Sequence, residues 1–167
     1  FFADQLLRET GVATLLPPTG VVVFDEAHRL NDTGIGFLGR SMGTAALLEF
    51  TRDLTVQGPL WARGQRPWAH LALSLEHAAK AFLTMPRMGS QRIRWTGATP
   101  QGVDAVRWKE AVIGLDRALM AAAQALHATA QASAELERLF HRAQAMRLLW
   151  RELMNDSSEG ADVRWVE

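Results

Sequence analysis

Apolar side chains recur at steps of three and four residues along most of this 167-residue chain, and this period predicts amphipathic helices. The helices are expected over about residues 44–57, 67–83, 102–131 and 134–154, with shorter ones near residues 1–9 and 35–40. Gly58 and Pro59 are expected to stop the first long helix, because proline lacks the N–H that continues a helix. The pattern therefore predicts a mainly α fold, a helical bundle.

The helix predicted over residues 102–131 has apolar side chains on two sides. One line follows steps of four and three residues and comprises Trp108, Val112, Leu115, Leu119, Ala122 and Leu126. A second line comprises Val106, Ile113 and Met120. A helix that is apolar on two sides is expected to be surrounded by others, so this one is predicted to be the central helix of the bundle.

Two kinds of segment break the helical pattern. Residues 21–24 are β-branched or aromatic without interruption, which is typical of a strand covered on both faces in a parallel sheet. The stretches "RIRW" at 92–95 and "VRWV" at 163–166 alternate apolar and basic residues, which predicts a small antiparallel ribbon. A buried strand needs neighbours at its edges, so either its partners lie outside this segment or it pairs with the ribbon.

Composition excludes several classes of function. The 18 basic and 18 acidic residues give a formal net charge of zero, so any surface for a nucleic acid must be local. The absence of cysteine excludes a disulfide framework, a thiolate zinc site and an iron–sulfur cluster within this segment. Neither a transmembrane helix nor a signal peptide is expected, so the default location is cytoplasmic. The first residue, Phe1, is not a methionine, and the chain is expected to be a segment of a longer protein.

The most informative chemistry directly follows the predicted strand. Asp25, Glu26 and His28 stand at its carboxyl end, in "VVVFDEAHRL". Nucleotide hydrolases present an acid pair in this way at the carboxyl edge of a sheet, where ligands bind in α/β folds. There the first carboxylate holds Mg²⁺, usually through water, and the second orients and deprotonates the attacking water. The alternative is a solvated pair of acids followed by a chance histidine.

These residues resemble those of a known family. The stretch "VVVFDEAHRL" is similar to the Walker B or DEAH box of superfamily 2 helicases. "FFADQLLRE" is similar to the segment before that box in DinG-type, XPD-like DNA helicases, and residues 25–54 resemble the bacterial branch of that family. The resemblance covers about residues 1–60, and beyond it only the order of helices agrees. It implies an ATP-dependent DNA helicase with 5′ to 3′ polarity in DNA repair or replication.

The resemblance also implies domains and site residues. Residues 1–32 would be a sliver of the first motor domain with the DEAH box, and residues 33–167 a helical Arch-like insertion. Asp25 would bind Mg²⁺ through water, Asp25 and Glu26 would bind ATP, and Glu26 and His28 would be catalytic, Glu26 by polarising the attacking water. ATP and Mg²⁺ are the implied cofactors, while an iron–sulfur cluster would belong to the full-length protein only. Without a phosphate-binding loop, the chain alone is expected to be inactive.

DNA contacts are implied as well. In that family the Arch helps to frame a pore for single-stranded or forked DNA, which arginine and aromatic side chains would serve. The candidates in this chain are Arg92, Arg94 and Trp95, in the predicted ribbon. The alternative is that these arginines are merely solvated and that Trp95 belongs to the core or to an interface.

Two further function classes remain open. In one, the helical region is a protein-interaction module without catalytic activity, which recruits a repair or replication partner. In the other, the chain is an unrelated helical protein whose acid pair is accidental. No membrane partner is expected. The edge of a strand at residues 21–24 also predicts a strand-mediated dimer of this segment.

Overall fold

The computed structural model describes residues 1–11, 14–85, 92–155 and 164–166. Its elements, in chain order, are α1 (Phe2–Glu9), α2 (Leu30–Leu38), α3 (Thr44–Trp61), α4 (Trp68–Leu83), β1 (Ile93–Trp95), α5 (Ala105–His127), α6 (Ala134–Met154) and β2 (Arg164–Val166). Short 3₁₀ turns lie at Ala27–Arg29 and Ala130–Ala132. The predicted mainly α fold with a small antiparallel ribbon is confirmed.

The chain divides into two compact units, which we name the N-terminal unit (Phe1–Ser41) and the helical unit (Met42–Glu167). The division falls after Ser41, whereas the resemblance implied a domain boundary after residue 32. Helix α2 contacts α1 and lies within the N-terminal unit, and the boundary after residue 32 stays a prediction. Among the described residues no helix is both long enough and apolar enough to cross a membrane.

The helical unit is a bundle in which α3 packs on α4, α4 on α5, α5 on α6 and α6 back on α3. Helices that close a ring in this way each bury one stripe of side chains in a shared core. The largest fully buried side chains of this core are Phe50, Leu54, Leu75, Leu115, Leu119, Leu126 and Leu136. The predicted bounds of the last helix, residues 134–154, agree with α6, whose start is capped by Ser133 Oγ accepting from the backbone N–H of Leu136 at 3.1 Å.

An ion-pair group joins α6 to α3 at the edge of this core. Arg142 donates from Nη1 to Asp53 Oδ2 at 2.7 Å and from Nη2 to Glu49 Oε2 at 3.2 Å. The same guanidinium lies over the ring of Phe50, 5.7 Å from its centroid. These contacts connect helices that are far apart in sequence and so close the ring of the bundle.

The prediction that α5 is a central helix is wrong. Its first apolar line is buried, with Trp108 at 5% exposure and Leu115 and Leu119 at 0%. In the second line, however, Val106 is 65% exposed and Ile113 is 38% exposed. The reason is that α5 is one member of the ring, flanked by α4 and α6, so only one of its apolar sides faces the shared core.

The expectation that Gly58 and Pro59 stop α3 is also wrong, because the helix continues to Trp61. Pro59 lies in the last turn, where it removes the N–H that would bond the carbonyl four residues earlier, and the helix ends two residues later. Gly58 has a packing role instead: a Cβ atom there would lie 2.4 Å from Trp68 Cδ2. The Trp68 indole, packed on this glycine, donates from Nε1 to the carbonyl of Ala62 at 2.9 Å, just beyond the helix end.

The predicted ribbon is confirmed as the antiparallel pair β1 and β2. Its register matches Ile93 with Val166, Arg94 with Trp165 and Trp95 with Arg164, whereas residue 163 lies outside the described residues. Trp95 meets Trp108 of α5 edge-on, with ring centroids 5.0 Å apart. The aromatic contact attaches the ribbon to the bundle.

The N-terminal unit contains the acid pair but not the strand predicted before it. Residues 21–24 have no regular secondary structure, and Val21, Val22, Val23 and Phe24 are 76%, 47%, 88% and 38% exposed. The physical reason is the lack of a partner: within the described residues the strands β1 and β2 pair with each other. Without neighbouring strands, a β-branched run cannot form a ladder of hydrogen bonds.

Candidate functional site

The acid pair lies on a tight turn at the end of the apolar run. Glu26 has a φ of 52°, in the left-handed region that residues other than glycine rarely adopt. The turn is held by two hydrogen bonds that its backbone donates: the N–H of Glu26 donates to the side-chain Oδ1 of Asp25 at 2.9 Å, and the N–H of Arg29 donates to the Glu26 carbonyl at 2.9 Å. The sequence "DEAH" therefore folds as a local unit even without a sheet in front of it.

The side chains of this turn face solvent and lie close to one another. His28 Nδ1 is 3.3 Å from Glu26 Oε2, and the two side chains are 72% and 66% exposed. The contact becomes an ion pair when the imidazole is protonated. The structure thus brings Glu26 and His28 together, and Asp25 is the neighbour of Glu26 along the chain.

The turn offers carboxylate ligands for a cation and groups that can accept a proton, but its set of cation ligands is incomplete. Carboxylate oxygens are the ligands that Mg²⁺ prefers, and in nucleotide sites one or two carboxylates act together with substrate phosphates. Within the described residues no group of three or more acidic, histidine or cysteine side chains converges as a metal site. Asp25 and Glu26 fit Mg²⁺ by donor type, but they need further ligands to hold it.

Two residues of the N-terminal unit that the sequence analysis did not single out support this region. Asp4 of α1 is 6% exposed, and its Oδ1 accepts from the backbone N–H groups of Leu15 at 2.6 Å and Leu16 at 2.8 Å. The hydrogen bond from Leu16 lowers the pKa of Asp4, and Arg8 lowers it further. The spacing of Asp4 and Arg8, four residues apart on a helix, is the signal that could have suggested their pairing.

The ribbon arranges the candidate DNA-binding residues in two ways. Trp95 is 7% exposed, covered by Trp108 on one side and by the guanidinium of Arg164, 4.5 Å from its ring centroid. The buried ring is therefore not available for base stacking, which agrees with the alternative that Trp95 is a core residue. Arg94 is exposed, and the exposed Arg92 lies over the ring of Trp165 at 5.3 Å.

Two curated relatives match part of the chain. It is 38% identical over 56 residues to the ATP-dependent DNA helicase YoaA of Escherichia coli (strain K12), and 36% identical over 56 residues to the ATP-dependent DNA helicase YoaA of Haemophilus influenzae. A stretch of this chain is similar to part of a DNA helicase. Each match covers 34% of this chain and 9% of the relative, so the chain matches only a small part of the relatives' length. No protein-family model and no solved structure matches the chain.

Proposed function

We propose that this chain is the part of an ATP-dependent DNA helicase that carries its DEAH-type acid pair. Residues 1–32 would belong to the first motor domain of a DinG-type, XPD-like enzyme, and residues 33–167 would form its Arch-like helical insertion. The observation that carries the proposal is the identity of 38% over 56 residues with a protein named as an ATP-dependent DNA helicase. The sequence "VVVFDEAHRL" also supports it, because it provides the acid pair that nucleotide hydrolysis needs.

The exposed apolar run before the turn also supports the proposal. Val21 and Val23 are 76% and 88% exposed, and burying a valine side chain is worth about 1.5 kcal/mol or more. A run of such residues is therefore unfavourable in water. In the proposed enzyme, residues 21–24 would be a strand of the motor sheet, covered on both faces. In this chain alone, the same run would favour a strand-mediated dimer, and a monomer mass independent of concentration in light scattering would contradict that dimer.

The residues of the turn would then divide the work of hydrolysis. When bound, ATP would supply the phosphoryl group, and Mg²⁺ would supply positive charge that offsets the negative charge of the phosphate oxygens. Asp25 would hold the hydrated cation through its carboxylate, and Glu26 would accept a proton from the attacking water at Oε1 or Oε2. His28 Nδ1, 3.3 Å from Glu26 Oε2, would orient that carboxylate and link it to the rest of the motor.

The first test is the coding sequence on both sides of this segment. We expect a glycine-rich phosphate-binding loop with Lys-Thr and four spaced cysteines upstream, and a second motor domain downstream. The isolated chain should hydrolyse ATP no faster than a protein-free blank, because its sequence contains no glycine-rich phosphate-binding motif. A start codon directly before Phe1 with a stop codon after Glu167 would contradict the proposal, as would turnover by the isolated chain that Glu26→Gln abolishes.

A second candidate, a protein-interaction module, is favoured by one surface of the helical unit. A shallow groove of about 590 Å³ lies between α5 and α6, and two apolar side chains of its lining, Ile113 and Leu148, are 38% and 64% exposed. We would test this candidate with the chain as bait for repair and replication proteins. Loss of capture in Leu148→Asp, with capture kept in the control Leu73→Asp at another exposed leucine, would support this candidate. Capture that Leu148→Asp leaves unchanged would contradict it.

A further inference from the structure

The start of α1 and Phe1, the residue before it, contact the chain on both sides of the acid pair. Upstream, the ring of Phe1 meets the ring of Phe24 edge-on at 5.1 Å between centroids, and Phe24 directly precedes Asp25. Downstream, Phe2 stacks on Phe37 of α2 at 6.3 Å. Phe2 also lies so near Gly34 of α2 that a Cβ there would be 2.9 Å from its ring. The turn that carries the acids is therefore flanked by two segments, one in contact with Phe1 and the other with Phe2 at the start of α1.

A polar clamp adds a third attachment, and its members are Asp4 and Arg8. Asp4 Oδ1 accepts from the N–H groups of Leu15 and Leu16 at 2.6 and 2.8 Å, and Asp4 Oδ2 accepts from Arg8 Nε at 2.5 Å. Arg8 Nη2 donates to the carbonyl of Leu16 at 2.7 Å. Both N–H groups and one carbonyl of this dipeptide are thus bound by side chains of α1.

The sequence after the clamp explains why side chains are needed there. Residues 17 and 18 are both proline, so they have no N–H to donate, and their φ angles are fixed. Leu16 and Pro17 each precede a proline, which disfavours the helical backbone region for them, and the prolines cannot donate to a strand, so the backbone groups of Leu15 and Leu16 need other partners. A carboxylate that is 6% exposed is costly to bury unless it is paired and hydrogen-bonded, and here it has both kinds of partner.

We propose that Asp4 is a positioning residue for Asp25 and Glu26. The clamp fixes Leu15 and Leu16 against α1, and the two prolines restrict the backbone that follows. The contact with Phe1 fixes Phe24, the residue before the acids. The inference rests on the proposed function, since Asp4 would act on hydrolysis only through Asp25 and Glu26. Displacing a reacting group by about 1 Å is enough to lower a rate about 100-fold. Loss of the clamp should therefore lower the rate of the hydrolysis step.

The experiment uses the full-length protein with Asp4→Ala, Asp4→Asn and the control Gln5→Ala, whose side chain lies on the same helix and bonds only to exposed Glu9 among the described residues. Hydrogen exchange in a peptide over residues 14–18 reports on Leu15 and Leu16, because the two prolines have no amide. ATP hydrolysis with single-stranded DNA gives kcat and KM. Asp4→Ala should lose the protection and lower kcat about 10- to 100-fold, with the KM for ATP within about twofold.

Asp4→Asn keeps one acceptor oxygen and should fall between wild type and Asp4→Ala, and it carries the test if the alanine variant does not fold. Gln5→Ala should match wild type in both measurements. Protection unchanged in Asp4→Ala would overturn the clamp, and protection lost with kcat unchanged would overturn the positioning role. If Glu26→Gln leaves turnover unchanged, the proposed function fails instead, while the exchange measurement still decides whether the clamp exists.

Discussion

Substituting Gly58 by alanine tests how the helical unit is packed, because two opposing effects act at this position. In a helix interior, alanine is better than glycine by about 1 kcal/mol. Against this, a Cβ at Gly58 would lie 2.4, 2.6 and 2.7 Å from three ring atoms of Trp68, far inside the separation of about 3.5–4.0 Å between carbon atoms in contact. The outcome depends on whether the indole can move.

The surroundings of Trp68 indicate that it cannot move without loss. The residue is 3% exposed, and its ring is rigid. Overpacking a core costs about 1–3 kcal/mol. A displaced indole would also lose the 2.9 Å hydrogen bond from Nε1 to the Ala62 carbonyl, worth about 1 kcal/mol. After the gain in helix propensity is subtracted, Gly58→Ala should destabilise the protein by about 1–3 kcal/mol.

Gly114→Ala provides the matched control, because Gly114 lies inside α5 and a Cβ there meets nothing within 4 Å. It should stabilise the protein by up to about 1 kcal/mol. We would follow thermal unfolding of the chain by circular dichroism at about 222 nm, where 1 kcal/mol corresponds to about 3 °C in Tm for a chain of this size. Gly58→Ala should therefore lower Tm while Gly114→Ala raises it. Equal or parallel shifts would refute the packing argument.

Other substitutions should act as follows. The double-mutant cycle of Arg142 and Asp53 should give a coupling of about 0.2–1 kcal/mol, because both side chains are partly exposed, and salt should reduce it; a coupling insensitive to salt would contradict this. Because the pKa of Asp4 lies below the ordinary 3.8, its clamp should persist above that value and be lost as the pH falls through the lowered pKa. Exchange protection of Leu15 should follow this loss in wild type but not in Asp4→Asn. Trp95→Ala should cost about 3–5 kcal/mol in urea unfolding, whereas Trp95→Phe should cost less, since the buried Trp95 Nε1 has no hydrogen-bond partner within the described residues.

The sequence pattern was most informative where one physical rule decides the structure. The predicted helix over residues 134–154 agrees with α6 because its apolar stripe is continuous and Ser133 provides a cap. The ribbon was predictable because alternation leaves few other structures for "RIRW" and "VRWV". The burial of Trp95 could not be predicted from the alternation of the ribbon, since it depends on the contact with Trp108 of α5.

Tertiary context decided the features that the pattern did not predict. Gly58 and Pro59 have the composition of a helix stop, but the helix continues to Trp61, and Gly58 gives Trp68 room to pack on it. Val106 and Ile113 have helical spacing, yet they are exposed because α5 turns only one side to the ring of helices. A local sequence window contains no information about which distant segment will pack against it.

One part of the candidate site could be predicted from the sequence and another could not. The acid pair at Asp25 and Glu26 was recognisable from its place after an apolar run, because that chemistry depends on neighbouring residues. The clamp of Asp4 on Leu15 and Leu16 was not, because eleven and twelve residues separate the partners. Whether the acids serve ATP hydrolysis remains a proposal that rests on the relatives and on the motif.

ATP hydrolysis by the full-length protein, with Glu26→Gln beside wild type, tests the central claim most directly. Glu9→Gln is the control, since it makes the same change of carboxylate to amide on exposed Glu9 of α1. We predict that single-stranded DNA stimulates hydrolysis in wild type and in Glu9→Gln, and that Glu26→Gln lowers kcat by about 100-fold or more, as expected for loss of a general base. Hydrolysis by Glu26→Gln within about twofold of wild type would contradict the assignment of the acid pair to the motor of a helicase.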